Sequence, residues 1–377
     1  MKPNYTVIIY TPQDLNHSSY IQSGLFGLEN IGLIHCKVKI DISKKLGRVN
    51  TKTGKTITSS NPQQKTSYYK LIDHVANKEY YFATDLYDIS HFFSQFALEN
   101  CDFVFKRNYV SKDIDSLSPE FQKKVFPMGL TLGVQSIHRK YWRTLKTAHF
   151  LANLNLHLKM DRNFFKRFQK VVRFSARHRR YVTQGRSLDK LENTSNDVQL
   201  KVFYQVRCFP QINDEDVKKV HTVRSSLIRL LKKELKNEFL GGIVPGEISN
   251  KYYADCLTNL PTDPESYVAL IKKSAICIYT NGLQNSPARK LAEYLSQGKC
   301  IVAQKIDAEL PEPLEHGKNI MFYSNNEECI SICKDLLGNP EKVKMLSKNA
   351  RAYFEMHVHP LQNTKRILEH MLQKPLS

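Results

Sequence analysis

The chain has 377 residues, 41% of them hydrophobic, and a formal net charge of +20, which is enough sequence for two ordinary domains with a core each. No stretch has the apolar length of a membrane-spanning helix, and MKPNYTVIIYTPQD lacks the build of a secretory leader, so the protein is expected in the cytoplasm or peripherally on the inner face of the cell membrane. The eight cysteines form no CxxC pair and lie mostly in apolar runs such as AICIY and GKCIV, so reduced, buried thiols and no metal site are expected.

The charge is unevenly placed. Residues 1–190 carry 31 Lys and Arg against 14 Asp and Glu, a net of +17, whereas residues 191–377 carry 25 against 22, a net of +3. A basic first half calls for a partner with negative charge: an anionic membrane surface, a phosphorylated acceptor or nucleic acid.

The elements follow in order. YTVIIY (residues 5–10) is a continuous apolar run that suits a buried parallel strand. After a polar loop holding His17, apolar residues at Ile21, Leu25, Leu28 and Ile31 predict a helix, and residues 36–40 predict the next strand. Strand, helix, strand in succession favours a parallel sheet. Residues 43–67 are polar and turn-rich and predict a surface excursion or small hairpin. Residues 79–84 and 102–106 predict strands, with a helix between them carrying Ile89, Phe92, Phe93, Phe96 and Leu98. Asp85 and the pair Lys106–Arg107 fall at strand ends.

Residues 139–180 hold 13 Lys or Arg and a single acid, Asp161. Phe164, Phe165, Phe168, Val171 and Val172 recur there at helical spacing, and Arg162, Lys166, Arg167, Lys170 and Arg173 fill the other face. Such a helix either docks its Phe stripe on its own domain or rests against anionic lipid; a Phe stripe is more often core. Residues 185–199 are polar and read as the linker between domains.

The second half repeats the α/β pattern. Strands are predicted at 201–206, 238–244, 275–280, 300–304 and 319–323, and helices at 217–235, 267–273, 287–297, 327–337, 340–356 and 361–372. The organisation expected is two Rossmann-like α/β domains facing each other across a cleft: a basic domain over 1–190, a second over 191–356, and a terminal helix in 357–377 that packs back on the first.

One stretch concentrates chemistry: TNGLQNSPARKLAEYLSQGKCIV, residues 280–302. Asn281–Gly282 signals a turn at the carboxyl end of a buried strand, Ser286 suits a helix N-cap and Pro287 a first helical position. Ser286, Lys290 and Glu293 share the helix face opposite Leu291, Ala292 and Leu295. Free backbone N–H groups favour a diphosphate, Lys290 adds charge, and Glu293 can accept from two vicinal hydroxyls. The same spacing also describes an ordinary surface Lys–Glu pair.

SPARKLAEYLSQGKCIV, with the downstream LPEPLEHGKNIMFYSNNEECISICKDLLGNPEKVKMLSKNARAYFEMHVHP, resembles the donor-site region of group 1 GT-B glycosyltransferases of the family 4 type. The resemblance implies transfer of a sugar from a nucleotide-diphosphate sugar to a glycan or lipid-linked acceptor in surface polysaccharide or lipopolysaccharide synthesis, with no cofactor beyond the donor substrate and no metal. It places Glu293 on the donor ribose, and Lys290, Ser286 and Arg207 at the diphosphate. Gly282 and Asn285 complete the donor side. The sequence departs from the pattern at Asn285, where many retaining members carry an acid, so retention or inversion stays open. His17 and Asp85 are the candidates for a catalytic base. Lys106, Arg107, Arg162, Lys166, Arg167 and Lys170 are candidates for acceptor or membrane contact. A non-catalytic nucleotide-sugar-binding partner in a glycan assembly complex is the alternative. No nucleic acid is expected, because no recognised binding module is present.

Overall fold

In a computed structural model, residues 3–41, 43, 45, 47–57, 65–134, 161–166, 168, 169, 172, 173, 176, 186–195 and 197–376 are described. The chain divides into two compact units: Met1–Leu188 with Ala308–Pro311 and Val358–Ser377, and Asp189–Asp307 with Glu312–His357.

In the first unit the strands are β1 (Tyr5–Thr11), β2 (His35–Ile40), β3 (Arg48–Asn50), β4 (Lys55–Ile57), β5 (Thr66–Asp73), β6 (Lys78–Asp85), β7 (Phe92–Ser94), β8 (Phe103–Lys106) and β9 (Val125–Pro127). Its helices are α1 (Leu15–Asn30), α2 (Gln95–Asn100), α3 (Ser111–Ile114) and α4 (Pro119–Gln122). The main sheet runs β2-β1-β5-β6-β8-β9. β1 and β2 are parallel, as strand, helix, strand requires, and so are β6 with β8 and β8 with β9. β5 departs from the parallel expectation: it pairs antiparallel with both β1 and β6. The reason is local, since the β5–β6 connection contains Asn77 at φ 50°, the left-handed conformation that a tight hairpin uses and Asn tolerates. The predicted excursion is the β3–β4 hairpin, and β7 adds to it. The helix expected around Ile89 to Leu98 is instead strand β7 followed by α2, because Ser94 caps at Ala97 N and the helix can start only there.

α5 (Leu188–Glu192) lies within the polar linker and buries Leu188 and Leu191. The second unit contains β10 (Gln199–Val206), α6 (Glu215–Leu235), β11 (Phe239–Ile243), α7 (Glu247–Tyr252), α8 (Pro264–Lys273), β12 (Ser274–Tyr279), α9 (Arg289–Ser296), β13 (Cys300–Gln304), β14 (Met321–Tyr323), α10 (Asn326–Leu337) and α11 (Pro340–Tyr353). Its sheet is parallel throughout, in the order β11-β10-β12-β13-β14. Numbered within the unit this is 2-1-3-4-5, a doubly wound order whose direction reverses between β10 and β12. Val202, Tyr204, Leu227, Leu231, Ile276, Ile278 and Val302 are among the residues of its core, where strands and helices bury their apolar faces together.

After Tyr353 a five-residue π turn, Phe354–Val358, leads to α12 (Pro360–Leu372), which belongs to the first unit and packs along α1. Tyr20 donates to the Val358 carbonyl at 2.6 Å, and Asn363 donates to the Tyr20 hydroxyl and the Met128 carbonyl at 3.1 and 3.0 Å. All eight cysteines are free thiols, and all but Cys208 are buried. Among the described residues no helix is long and apolar enough to cross a membrane.

The α1–α12 approach depends on Gly24. A Cβ there would lie 2.0 Å from Thr364 Oγ1 and 2.3 Å from the Pro360 carbonyl oxygen, and a backbone atom cannot swing away. Gly24→Ala should therefore cost about 1–3 kcal/mol through overpacking, read as a lower urea midpoint. An unchanged midpoint would show that α12 is not held this closely.

Candidate functional site

The point where the sheet order reverses lies at the carboxyl ends of β10 and β12, where an open α/β sheet leaves a crevice between loops. β10 ends at Val206 and delivers Arg207; β12 ends at Tyr279 and delivers the loop to α9.

That loop is tied at each step. Asn281 N donates to Gln304 Oε1 at 3.1 Å and Asn281 Nδ2 to the Lys305 carbonyl at 2.9 Å, joining the end of β12 to the end of β13. Gly282 N donates to the Ser286 carbonyl at 2.9 Å and Ser286 N to the Leu283 carbonyl at 3.1 Å. A Cβ on Gly282 would stand 3.0 Å from Ser286 Oγ, so the tight return favours glycine. Gln284 and Asn285 both take positive φ, 56° and 52°, and are held there by acids: Gln284 N donates to Asp216 Oδ2 at 2.7 Å, and Asn285 Nδ2 to Asp307 Oδ2 at 2.8 Å. Asn285 is thus exposed and bonded to a carboxylate.

Helix α9 starts later than expected. Ser286 is not its N-cap; Ala288 occupies that position, with its N–H donating to the Tyr279 hydroxyl at 2.8 Å. Ser286 precedes Pro287, which disfavours helical backbone, and Ser286 and Ala288 are both extended, with ψ 145° and 146°. Ser286 is buried, and the first turn begins at Arg289 and Lys290.

A surface Lys–Glu pair is excluded, because Glu293 is only 4% exposed. Lys290 donates its ammonium to the Gln205 carbonyl at the end of β10 and lies 5.2 Å from the centre of the Tyr267 ring. Burial pulls the Lys290 pKa down to about 7, with Arg224 and Arg207 adding repulsion and Glu293 opposing it. Arg207 is exposed and donates to the Thr262 carbonyl at 3.2 Å. Arg224, absent from the sequence reading, reaches the same place from α6: its Nη1 donates to the Arg207 carbonyl at 2.9 Å and its guanidinium lies 5.1 Å from the Phe209 ring centre. The signal was available, since Arg224 interrupts the buried stripe Val217, Leu231 at the intermediate i+7 position. Among the described residues none of Arg207, Arg224 and Lys290 has a carboxylate within ion-pair distance. Of the three, Arg224 is buried, Lys290 half-buried and Arg207 exposed; a cation withdrawn from water without an acid is costly unless an anion arrives, so Arg224 and Lys290 suit a phosphate-bearing ligand.

In the first unit, the candidate bases and cations are mostly occupied. Asp85 and Lys106, expected as a base and a surface cation, are both fully buried and face each other at 3.7 Å. Lys106 also donates to the Phe92 carbonyl at 2.7 Å and lies over the Phe93 ring. Burial pushes the Asp85 carboxyl up and the Lys106 ammonium down, each against the pull of its partner. Neither can meet an acceptor or a membrane at the surface. Arg107 is likewise buried and bonded to Asp88, whose carboxyl is held down to about 2 by Arg107 and Lys65 despite the opposing effect of burial. His17 is in the first turn of α1 rather than in a loop, 3.9 Å from Asp14, the residue that caps that helix. Arg162 and Lys166 are exposed. Arg167 and Lys170 lie outside the described residues. The Phe stripe does not dock as core at Phe165, Phe168 and Val172, which are exposed.

If Asp85 and Lys106 serve each other, Asp85→Ala should cost about 3–5 kcal/mol by stranding a buried ammonium. Replacing both by apolar residues of similar size should recover most of that in urea unfolding. A fully stable Asp85→Ala would return Asp85 to the candidate bases.

Residues 224–369 match a protein family described as glycosyl transferase-like. Among solved structures, HepE of Anabaena in complex with UDP is similar at 14% identity and a TM-score of 0.36, over 74% of this chain and 80% of that one. WaaG, a glycosyltransferase involved in lipopolysaccharide biosynthesis, is similar at 10% identity and 0.36, over 71% and 62%. The C-terminal domain of the group 1 glycosyl transferase LpcC from Francisella tularensis is similar at 8% identity and 0.31, over 43% and 93%. No curated protein sequence matches the chain.

Proposed function

We propose that this chain, glycosyl transferase-like over residues 224–369, is of the group 1 GT-B kind and transfers a sugar from a nucleotide-diphosphate sugar to a glycan or lipid-linked acceptor. The observation that carries this reading is Lys290 on the first turn of α9, without an acid within ion-pair distance among the described residues and held against the end of β10, with Glu293 one turn further on. The diphosphate takes the ammonium and the N–H groups of that turn, and the Glu293 carboxylate accepts from the ribose hydroxyls. Positive charge held against the phosphates also stabilises the negative charge that builds on the departing nucleotide when the glycosidic bond breaks, which is where such cations accelerate transfer. Asn281 and Gly282 shape the loop that brings these groups together.

The basic character of the first 190 residues supports an acceptor or surface that carries negative charge. Exposed Phe165 and Phe168 beside exposed Arg162 and Lys166 support contact with anionic lipid, with rings in the interface and cations at the headgroups.

A thermal-shift screen against UDP-, GDP-, ADP- and CMP-linked sugars tests the reading, because a ligand that binds only the folded chain raises the melting temperature. At least one diphosphate sugar should do so. Glu293→Gln should weaken that ligand roughly tenfold or more, as expected for a hydrogen bond to a charged group; unchanged affinity would remove Glu293 from the site. Release of sugar to water or acceptor then separates a transferase from a non-catalytic binding partner. In flotation with vesicles containing phosphatidylserine, Phe165→Ser with Phe168→Ser should reduce binding, whereas equal recovery would rule out contact through these rings.

A further inference from the structure

We propose that Arg224 is a third donor-phosphate ligand, closing with Arg207 and Lys290 a cradle that binds both phosphates of a nucleotide-diphosphate sugar. The inference rests on the donor reading of this site and adds a residue and a pH dependence to it.

Arg224 is on α6, a 21-residue helix whose neighbouring inward positions are Val217, His221, Ile228 and Leu231. An arginine on that stripe is 8% exposed, and an apolar residue would have served the packing. Its contacts leave the charge uncompensated. Nη1 is used by the Arg207 carbonyl, one face covers the Phe209 ring, and no carboxylate is within ion-pair distance among the described residues. Buried Nε has no partner. The same stretch of helix does contain paired cations: Arg229, one and a half turns on, makes an ion pair with Asp255. On α6 Arg224 is thus a buried cation without an acid among the described residues, whereas Lys232, which also bonds only carbonyls, is exposed.

The surroundings repeat the pattern. Arg207 donates only to a carbonyl, and so does Lys290. Lys290 feels Arg224, Arg207 and Glu293 together, so cations outnumber the acid around it, and the surplus suits the phosphates of a nucleotide-diphosphate sugar. Lys290 keeps two of its three N–H donors after serving Gln205.

The groups that face Lys290 are Arg224 from α6, Arg207 after β10, Glu293 on its own helix, the Tyr267 ring from α8 and the Cys277 thiol from β12. The thiol is pushed up to about 12 by burial and is neutral near pH 7. The ammonium is held down mainly by burial and then by Arg224. Arriving phosphates reverse this and raise the bound-state pKa above the free value of about 7. Binding therefore takes up a proton at pH values above the free pKa. Affinity is full below about 7 and falls as pH rises through it, by at most tenfold per unit.

The test uses the full chain and whichever UDP-, GDP- or ADP-linked glucose stabilises it most, since the phosphate charges of these molecules do not titrate near neutrality. Titration calorimetry is run across neutral pH on the wild type, Arg224→Gln, Arg224→Lys and Lys290→Met. Arg224→Gln should weaken binding roughly ten- to hundredfold, as loss of a charged hydrogen-bond donor does. It should also move the fall in affinity to higher pH, because a neighbouring cation no longer depresses Lys290. Arg224→Lys should keep the pH position and bind at an intermediate level, having lost the fork but not the charge. Lys290→Met should abolish the pH dependence. Should Arg224→Gln fail to fold, Arg224→Lys decides alone: affinity equal to wild type overturns the proposal. If Arg224→Gln binds as the wild type does with the same pH profile while Lys290→Met loses affinity, Arg224 only packs the Arg207–Phe209 turn and the donor reading stands. If the wild type binds none of the sugars, the donor reading itself fails and takes this inference with it.

Discussion

Uncompensated positive charge at the carboxyl edge of the second sheet is the constraint around which that unit is arranged. Lys290 gives one N–H to the Gln205 carbonyl, Arg224 one to the Arg207 carbonyl, and Arg207 one to the Thr262 carbonyl. Carbonyl oxygens satisfy donors without neutralising charge, so the three cations are fixed in place while their electrostatic demand is left open. The doubly wound order puts them together: β10 and β12 are neighbours, and their following segments diverge from one crevice. The loop between β12 and α9 is then held by acids elsewhere in the unit, Asp216 at Gln284 and Asp307 at Asn285. Among the described residues, acids thus bond the loop's backbone and amide groups and not these three cations.

The first unit treats buried charge in the opposite way. Lys106 is buried with Asp85, and Arg107 with Asp88, so the cations at the end of β8 are neutralised inside the unit. A buried pair of this kind contributes little net stability, but loss of one member is expensive. What these contacts do is connect the end of β8 to the segment between β6 and β7, through Asp88, and to β7, through the Phe92 carbonyl. Cations of the same chemical type are therefore paired with acids in one unit and, among the described residues, bonded to carbonyls in the other.

Fold legibility followed the range of the forces involved. Apart from α7, which was not predicted, the strands and longer helices of the second unit were placed within a few residues, since continuous apolar runs and helical periodicity are local signals. The first unit was harder. β5, whose residues alternate between buried and partly exposed, is placed by pairing with β1 and β6 rather than by its own composition. The segment from Ile89 to Leu98 has helical spacing, yet its first part is a strand because β3 is there to pair with it. Pairing partners far away in sequence override local periodicity.

The sequence by itself determined an α/β chain with its basic charge in the first half, and it singled out Arg207, Lys290 and Glu293 together with the Asn281–Gly282 turn. Strand-end position, helical spacing and the turn residues are local properties, readable without coordinates. Only the tertiary structure decided which charges are free. Lys106 and Arg107 looked like surface cations and are buried against acids, whereas Arg224, which the sequence did not single out, is buried without one among the described residues. Whether a charge has a partner depends on residues distant in sequence and on how much water the packing excludes, and neither is written in the spacing of a single helix.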